Sequence, residues 1–426
     1  MGWLQRTRDA YWLLFFLSIG VSVQAVTIEV NFPQGTLFSP TADAQAKGAI
    51  NAAAADISAA ITTSLAAIST DMYTGVNGSA TVTLDWHADY EDRDTGAVIP
   101  GVTEVPSATL ATDAIRIFFG TSSISGSTLG VGGPHIGVAA QISYFDPIDW
   151  PGAAADAAAQ SEAAYTRGGG PIVGTLAGGG SVGGVNGSYS VDYGAAFGTV
   201  WLDVDADNDG NAESAPELDD YWHWNHTTSV AAGKRDLYSV AAHEILHAIG
   251  MGSSTSWVQL TNGTTWNGAE VQAITGSGAN LVNGGGQHIA NSVMSTRISD
   301  GSIQEVAMDP TLAVGTRKEL TVLDLAFLRD IGYDTIAVSF PPDYDGDLDV
   351  DGNDLAFLES WFGINGSADA DGDGDTDGAD LLVWQRQYTG ALVGSAVTTV
   401  PEPSSTALLL GLLGFAYSFG NRSRFI

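Results

Sequence analysis

Asp236-Leu237-Tyr238-Ser239-Val240-Ala241-Ala242-His243-Glu244-Ile245-Leu246-His247-Ala248-Ile249-Gly250 is the stretch from which the rest of the chain can be read. Leu237, Val240, Ala241 and Ile245 recur at helical spacing as an apolar stripe, and Asp236 stands before them as an N-cap. His243 and His247 fall one turn apart on one helix face, where two imidazoles can reach one tetrahedral Zn²⁺. Glu244 lies on the same turn and can take a proton from a water that the metal acidifies, without being a ligand itself. Gly250 marks the end of the helix, because glycine accepts the left-handed conformation needed there. An amphipathic helix that carries two histidines for packing is the plainer alternative. The His-Glu-x-x-His spacing behind a capped apolar run favours the metal.

A catalytic zinc takes three protein ligands and keeps one position open. With Gly250 included, the motif His-Glu-x-x-His-x-x-Gly resembles the active-site helix of the metzincin clan of zinc endopeptidases. In the usual form of that clan a third histidine follows three residues after the glycine. Here that position is Ser253, a poor zinc ligand. Downstream, Gln287-His288-Ile289-Ala290-Asn291-Ser292-Val293-Met294-Ser295 contains the one histidine that follows the helix. Its Ser-Val-Met-Ser end resembles the Met-turn, the methionine-bearing loop beneath the metal in metzincins. The leishmanolysin-like branch of the clan carries an insertion before its third histidine, and the layout here is similar, without that family's cysteines. The resemblance implies Zn²⁺ on His243, His247 and His288, Glu244 as general base, and Met294 as a floor that does not ligate. Thr296 stands where some metzincins keep a tyrosine, so no oxyanion donor is implied there. Ser253 keeps an alternative open: a non-catalytic surface scaffold of metzincin-like fold, its zinc structural or lost, with a calcium-dependent docking module.

The 426 residues suffice for two or three domains, and 44% hydrophobic content supports a large core. A formal net charge of −34 excludes nucleic acid as a natural partner, since phosphate would be repelled. With no cysteine, an exported chain must rely on core size and bound metals instead of disulfides. Export is expected from residues 1–25, which read as a signal peptide: Arg6 and Arg8, an apolar run from Tyr11 to Val23, and a small-residue cleavage site at Val23-Gln24-Ala25. Val26 to Phe32 alternates as a strand, Asp43 to Ile68 reads as an alanine-rich helix, and strands are expected at Ala80–Trp86, Ala114–Phe119, Ala139–Phe145 and Gly198–Asp203. Glycine-dense Gly168–Gly187 reads as loop. Leu320 to Ile331 has helical spacing and closes at Asp330-Ile331-Gly332-Tyr333, an end similar to that of metzincin-like bacterial peptidases. His87, His135, His223 and His226 read as structural. The order implies an α+β fold; the resemblance implies that residues 26–340 form a metzincin-like domain with a mixed sheet and active-site helix, then a mostly irregular or helical subdomain.

Two acidic stretches read as calcium loops, and a third is balanced between such a loop and a solvated turn. Asp343, Asp345, Asp347, Asp351 and Asp354 take loop positions 1, 3, 5, 9 and 12 before the apolar run Leu355–Leu358. Asp369, Asp371, Asp373, Asp377 and Asp380 repeat the pattern before Leu381–Trp384. Leu348 replaces the preferred glycine of the first copy. Two such loop–helix units over residues 341–390 resemble a type I dockerin, which implies bound Ca²⁺ and a cohesin-like partner. Asp203 to Asn211 alternates carboxylates in the same way but lacks an acid at the twelfth position, and a solvated acidic turn explains it equally well. In residues 391–426, Val400-Pro401-Glu402-Pro403, an apolar run from Ala407 to Phe419, and Arg422 and Arg424 resemble a PEP-CTERM sorting signal. That resemblance implies transient membrane association, exosortase processing and a secreted or surface-held bacterial protein; a plain membrane anchor is the alternative. Protein or peptide is the implied substrate.

Overall fold

The computed structural model describes residues 26–88, 108–144, 146–346 and 350–388. The expected signal peptide, Phe145, Asp347 and the C-terminal sorting segment lie outside them. The chain divides into two compact units, one within Met1–Ser299 and Gln304–Ala337, the other within Asp300–Ile303 and Val338–Ile426.

In chain order the first unit contains β1 (Thr27–Asn31), α1 (Asp43–Ala60), β2 (Met72–Asn77), β3 (Ala80–His87), β4 (Ala114–Ser122), β5 (Gly130–Pro134) and β6 (Gly137–Ser143). Then come α2 (Trp150–Tyr165), β7 (Ile172–Val182), β8 (Val185–Gly194), β9 (Phe197–Asp203), α3 (Ala215–Tyr221) and α4 (Leu237–Ala248). After α4 the chain is largely irregular, broken by α5 (Thr255–Leu260), α6 (Ala269–Thr275) and α7 (Val322–Ile331). The unit is α+β with a mixed sheet, as its element order implies. The sheet runs β1-β4-β9-β5; β1, β4 and β9 are parallel, and β5 runs antiparallel to β9 at the edge.

Side-chain alternation decides which layer covers which face. Ile115, Ile117 and Phe119 of β4, with Val200 and Leu202 of β9, are fully buried on the face that carries α1 and α4. Gly198 on that face has no room for a Cβ, because Ala248 of α4 would lie 2.8 Å from it. Phe118, Phe197 and Trp201 point the other way, into a core shared with α2, β3 and β8. At 25 cal/mol per Å², each fully buried aromatic or branched side chain contributes about 2 kcal/mol, so these layers dominate the unit's stability. Tyr238 of α4 donates to Asp56 of α1 at 2.6 Å, tying the helices together beneath the sheet.

Three expectations need correction. The first helix stops at Ala60, not Ile68: Ile61 bridges Thr335, Thr62 N–H donates to Asp334 O, and Ile68 bridges Leu110, so the segment is used as extended connector. Gly168–Gly187 is no loop, because β7 and β8 pair there as a hairpin turned by Gly183 and Gly184 at φ of 58° and 80°. Its glycines are cross-strand partners of aromatics: Gly174 opposes Tyr193 and Gly178 opposes Tyr189. A Cβ at either glycine would meet the tyrosine at 2.5 Å. Finally, β6 begins two residues earlier than the expected strand, at Gly137.

In the second unit, α8 (Gly352–Trp361) and α9 (Gly378–Gln387) each follow an acidic loop, with Asp351 and Asp377 as their N-caps. Trp384 of α9 donates to the Asp351 carbonyl at 3.0 Å, which joins one loop to the other helix.

Candidate metal centre and its cleft

α4 is built to hold its histidines still. Asp236 caps it, accepting from Ser239 N at 3.2 Å and Ser239 Oγ at 2.8 Å. The same fully buried carboxylate takes a forked pair from Arg317, Nε at 2.9 Å and Nη2 at 2.7 Å. At the other end Gly250 N bonds His247 O and Met251 N bonds Leu246 O, the paired reverse bonds of a Schellman stop, with Gly250 at φ 119°. That stop aims the Met251 carbonyl back at His247, whose Nδ1 donates to it at 2.8 Å. The next residues must pass close by: a Cβ on Gly252 would sit 2.8 Å from the His247 ring and 2.1 Å from Gln287 O.

His243, His247 and His288 come together. One nitrogen from each lies within 4.8 Å of the others, and His247 Nε2 is 3.1 Å from His288 Nε2. Two nitrogens on one tetrahedral zinc at 2.0–2.1 Å stand about 3.3 Å apart, so the observed spacing fits that ion. His243 Nδ1 donates to Ala307 O at 2.9 Å and His247 Nδ1 to Met251 O, which leaves both Nε2 lone pairs facing inward. Burial and the neighbouring histidines keep His243 and His247 neutral, well below the usual imidazole pKa. Neutral imidazole is the form that ligates. Burial lowers His288 too, with Asp309 opposing.

Glu244 is not a member of the nitrogen cluster but opens into the same cleft. Burial pushes its carboxyl up to about 8, against a backbone hydrogen bond from Gly132 that favours the charged form. β5 approaches it closely: a Cβ on Gly130 would lie 2.9 Å from Glu244 Cγ, and one on Gly132 2.3 Å from Glu244 O. The cleft is about 430 Å³, and Leu129, Gly130 and Asp309 to Leu312 are among the residues that line it. Among the described residues no strand pairs with the outer edge of β5.

Residues that the sequence reading did not single out support this arrangement. Asp324 is fully buried in a capping box with Thr321 and also accepts from Ala307 N at 2.9 Å and Met308 N at 3.3 Å. It thereby fixes the segment whose carbonyl orients His243. Lys318 pairs with Glu305 at 2.8 Å and Asp309 at 3.3 Å on the cleft wall. The signal available for these was the Thr321-x-x-Asp324 cap and the Asp309-Pro310 turn after a lone methionine. Met294 is corrected as a floor: it is 52% exposed, and a side chain in solvent cannot underlie a buried site. Met251 and Met308, by contrast, are both fully buried.

The acidic residues also gather. Asp343, Asp345 and Asp354 bring carboxylate oxygens within 4.8 Å of one another, as do Asp369, Asp371 and Asp380, and Asp375, Asp377 and Asp380. Asp354 accepts from Tyr344 N and Asp351 N, and Asp380 from Ala370 N and Asp377 N, each at 2.7 Å, so the loops close alike. Asp351 caps α8, and Asp373 accepts from Asp375 N at 3.1 Å; neither belongs to those groups. The chain thus carries histidine and acidic groups able to bind metal ions. His223 bonds Thr228 and the Ala231 amide, apart from the cluster.

No protein-family model matches the chain, and no curated protein matches it.

Proposed function

We propose that the chain is an exported zinc-dependent endopeptidase of metzincin-like design. The observation that carries this reading is the convergence of His243, His247 and His288 nitrogens beside a buried glutamate, in a cleft lined in part by the edge strand β5. A zinc ion held there by the three histidines would supply a Lewis acid that polarises a peptide carbonyl and acidifies water. Glu244 takes one proton from the attacking water as its oxygen bonds the carbonyl carbon. It returns that proton to the amide nitrogen as the C–N bond breaks. β5 offers its outer edge, with which no described strand pairs, to an extended peptide, which fixes the scissile bond over the histidines. The residues 343–380 serve as a calcium-loaded, dockerin-like module for a cohesin-type partner. Residues 1–25 and 391–426 direct export and transient membrane attachment with exosortase-type processing.

The test is Glu244→Gln. The amide keeps the volume of the carboxyl but cannot carry the proton. The expected result is one zinc per chain, as in the wild type, with casein cleavage reduced at least 10³-fold. Cleavage at the wild-type rate by the variant would overturn the reading.

A further inference from the structure

The sequence leaves the Asp203–Asn211 stretch balanced between a calcium loop and a solvated turn. Its folding decides between them. We propose that the loop after β9 is a calcium site of the first unit, held by Asp205, Asp207 and Glu213. Ligand oxygens of these three lie within 4.8 Å of one another. Acidic clusters are common without an ion, and the decisive atom is Glu213 Oε2. That oxygen is itself buried and, among the described residues, has no hydrogen-bond partner, while Oε1 of the same carboxylate accepts from Asp207 N at 2.8 Å. A carboxylate oxygen withdrawn from water and left unpaired is costly, and a cation between it and the neighbouring aspartates removes the cost. Asp205 is itself only 2% exposed.

The second acidic loop of the same chain sets the register. There Asp369 accepts from Asp373 N at 3.0 Å and Gly374 N at 2.9 Å. Here Asp205 accepts from Asp209 N at 3.0 Å and Gly210 N at 2.8 Å. Asp205, Asp207 and Asp209 thus take positions 1, 3 and 5, and Gly210, at φ 89°, takes the glycine position. The acid missing from the twelfth position is replaced by Glu213, folded back from the ninth. An all-oxygen, flexible donor set of this kind suits Ca²⁺ over Mg²⁺, which demands a near-ideal octahedron. The ion would also brace the cleft: Asp203, at the root of the loop, donates its N–H to Leu129 O at 3.0 Å and accepts from Ile124 N at 2.9 Å. Leu129 lines the cleft.

The experiment counts calcium. Full-length, metal-stripped chain is titrated with calcium alone by calorimetry, with bound calcium measured after dialysis. Wild type is compared with Asp207→Asn, Glu213→Gln and, for the second unit, Asp371→Asn. Asp207 is exposed, so its variant does not disturb packing, and circular dichroism checks each fold. The expected result is one calcium fewer, or one site at least tenfold weaker, for Asp207→Asn and for Glu213→Gln. The double variant Asp207→Asn/Asp371→Asn then loses two. If Asp207→Asn and Glu213→Gln bind the same number of calcium ions as wild type with unchanged affinities, the loop is an acidic turn and the proposal fails.

Discussion

Asp324 shows how far from the histidines the site is decided. Its carboxylate serves the Thr321 cap and the Ala307 and Met308 amides at once, so the carbonyl that orients His243 is fixed through it. Asp324→Ala leaves several buried donors unpaired and is expected to cost about 3 kcal/mol in chemical denaturation. The misaligned His243 should weaken zinc binding about 10- to 100-fold, read by competition with a chelating dye. Burial raises the Asp324 pKa above its ordinary 3.8. A group whose folded pKa is raised contributes most at low pH and loses that contribution as pH climbs through the raised value. Wild type should therefore lose stability relative to Asp324→Asn as pH rises above about 4, and a pH-independent difference would contradict the assignment. The sequence made His243, Glu244 and His247 legible because one helix carries all three at fixed spacing. It made Asp324 illegible as a site residue, because its role arises from a fold-back between Ala307 and α7 that no local pattern encodes.

At the scale of elements, the glycines of β5 set the distance between edge strand and helix. Gly132 has only backbone facing it, at 2.3 Å from where a Cβ would stand, so nothing flexible can give way. Gly132→Ala is expected to lower stability by about 2 kcal/mol and to move Glu244 relative to the strand. Peptide cleavage should fall much further than zinc content; an unchanged rate would show that β5 does not set the site. Strong patterns were readable, β3 by its alternation and β4 as a nearly continuous apolar run. The β7–β8 hairpin was not, because its glycines read as breakers until Tyr189 and Tyr193 are seen lying across them. α2 escaped for the opposite reason: alanines on all sides give little contrast between its buried and exposed faces. The end of α1 was misjudged because Ile61 and Ile68 continue its apolar spacing while their backbone bridges Thr335 and Leu110.

For the molecule as a whole, a formal charge of −34 without cysteine makes bound cations the natural staple. In the second unit, Asp354 and Asp380 close their loops against backbone amides, leaving the remaining carboxylates repelling one another unless an ion sits among them. Calcium should raise the melting temperature of that unit, and Asp380→Ala should remove most of the shift, as followed by calorimetry. Equal shifts in both proteins would show that Asp380 holds no ion. The two-loop repeat was legible because its aspartates recur at fixed positions. The long reach to His288 was legible only as the one histidine remaining after α4, and its placement beside His247 is a property of the fold. The most direct test of the central claim is zinc content and casein cleavage measured together on wild type and His288→Ala. The account predicts one zinc and cleavage in the wild type, with both lost in the variant. Zinc and cleavage retained unchanged by His288→Ala would contradict it.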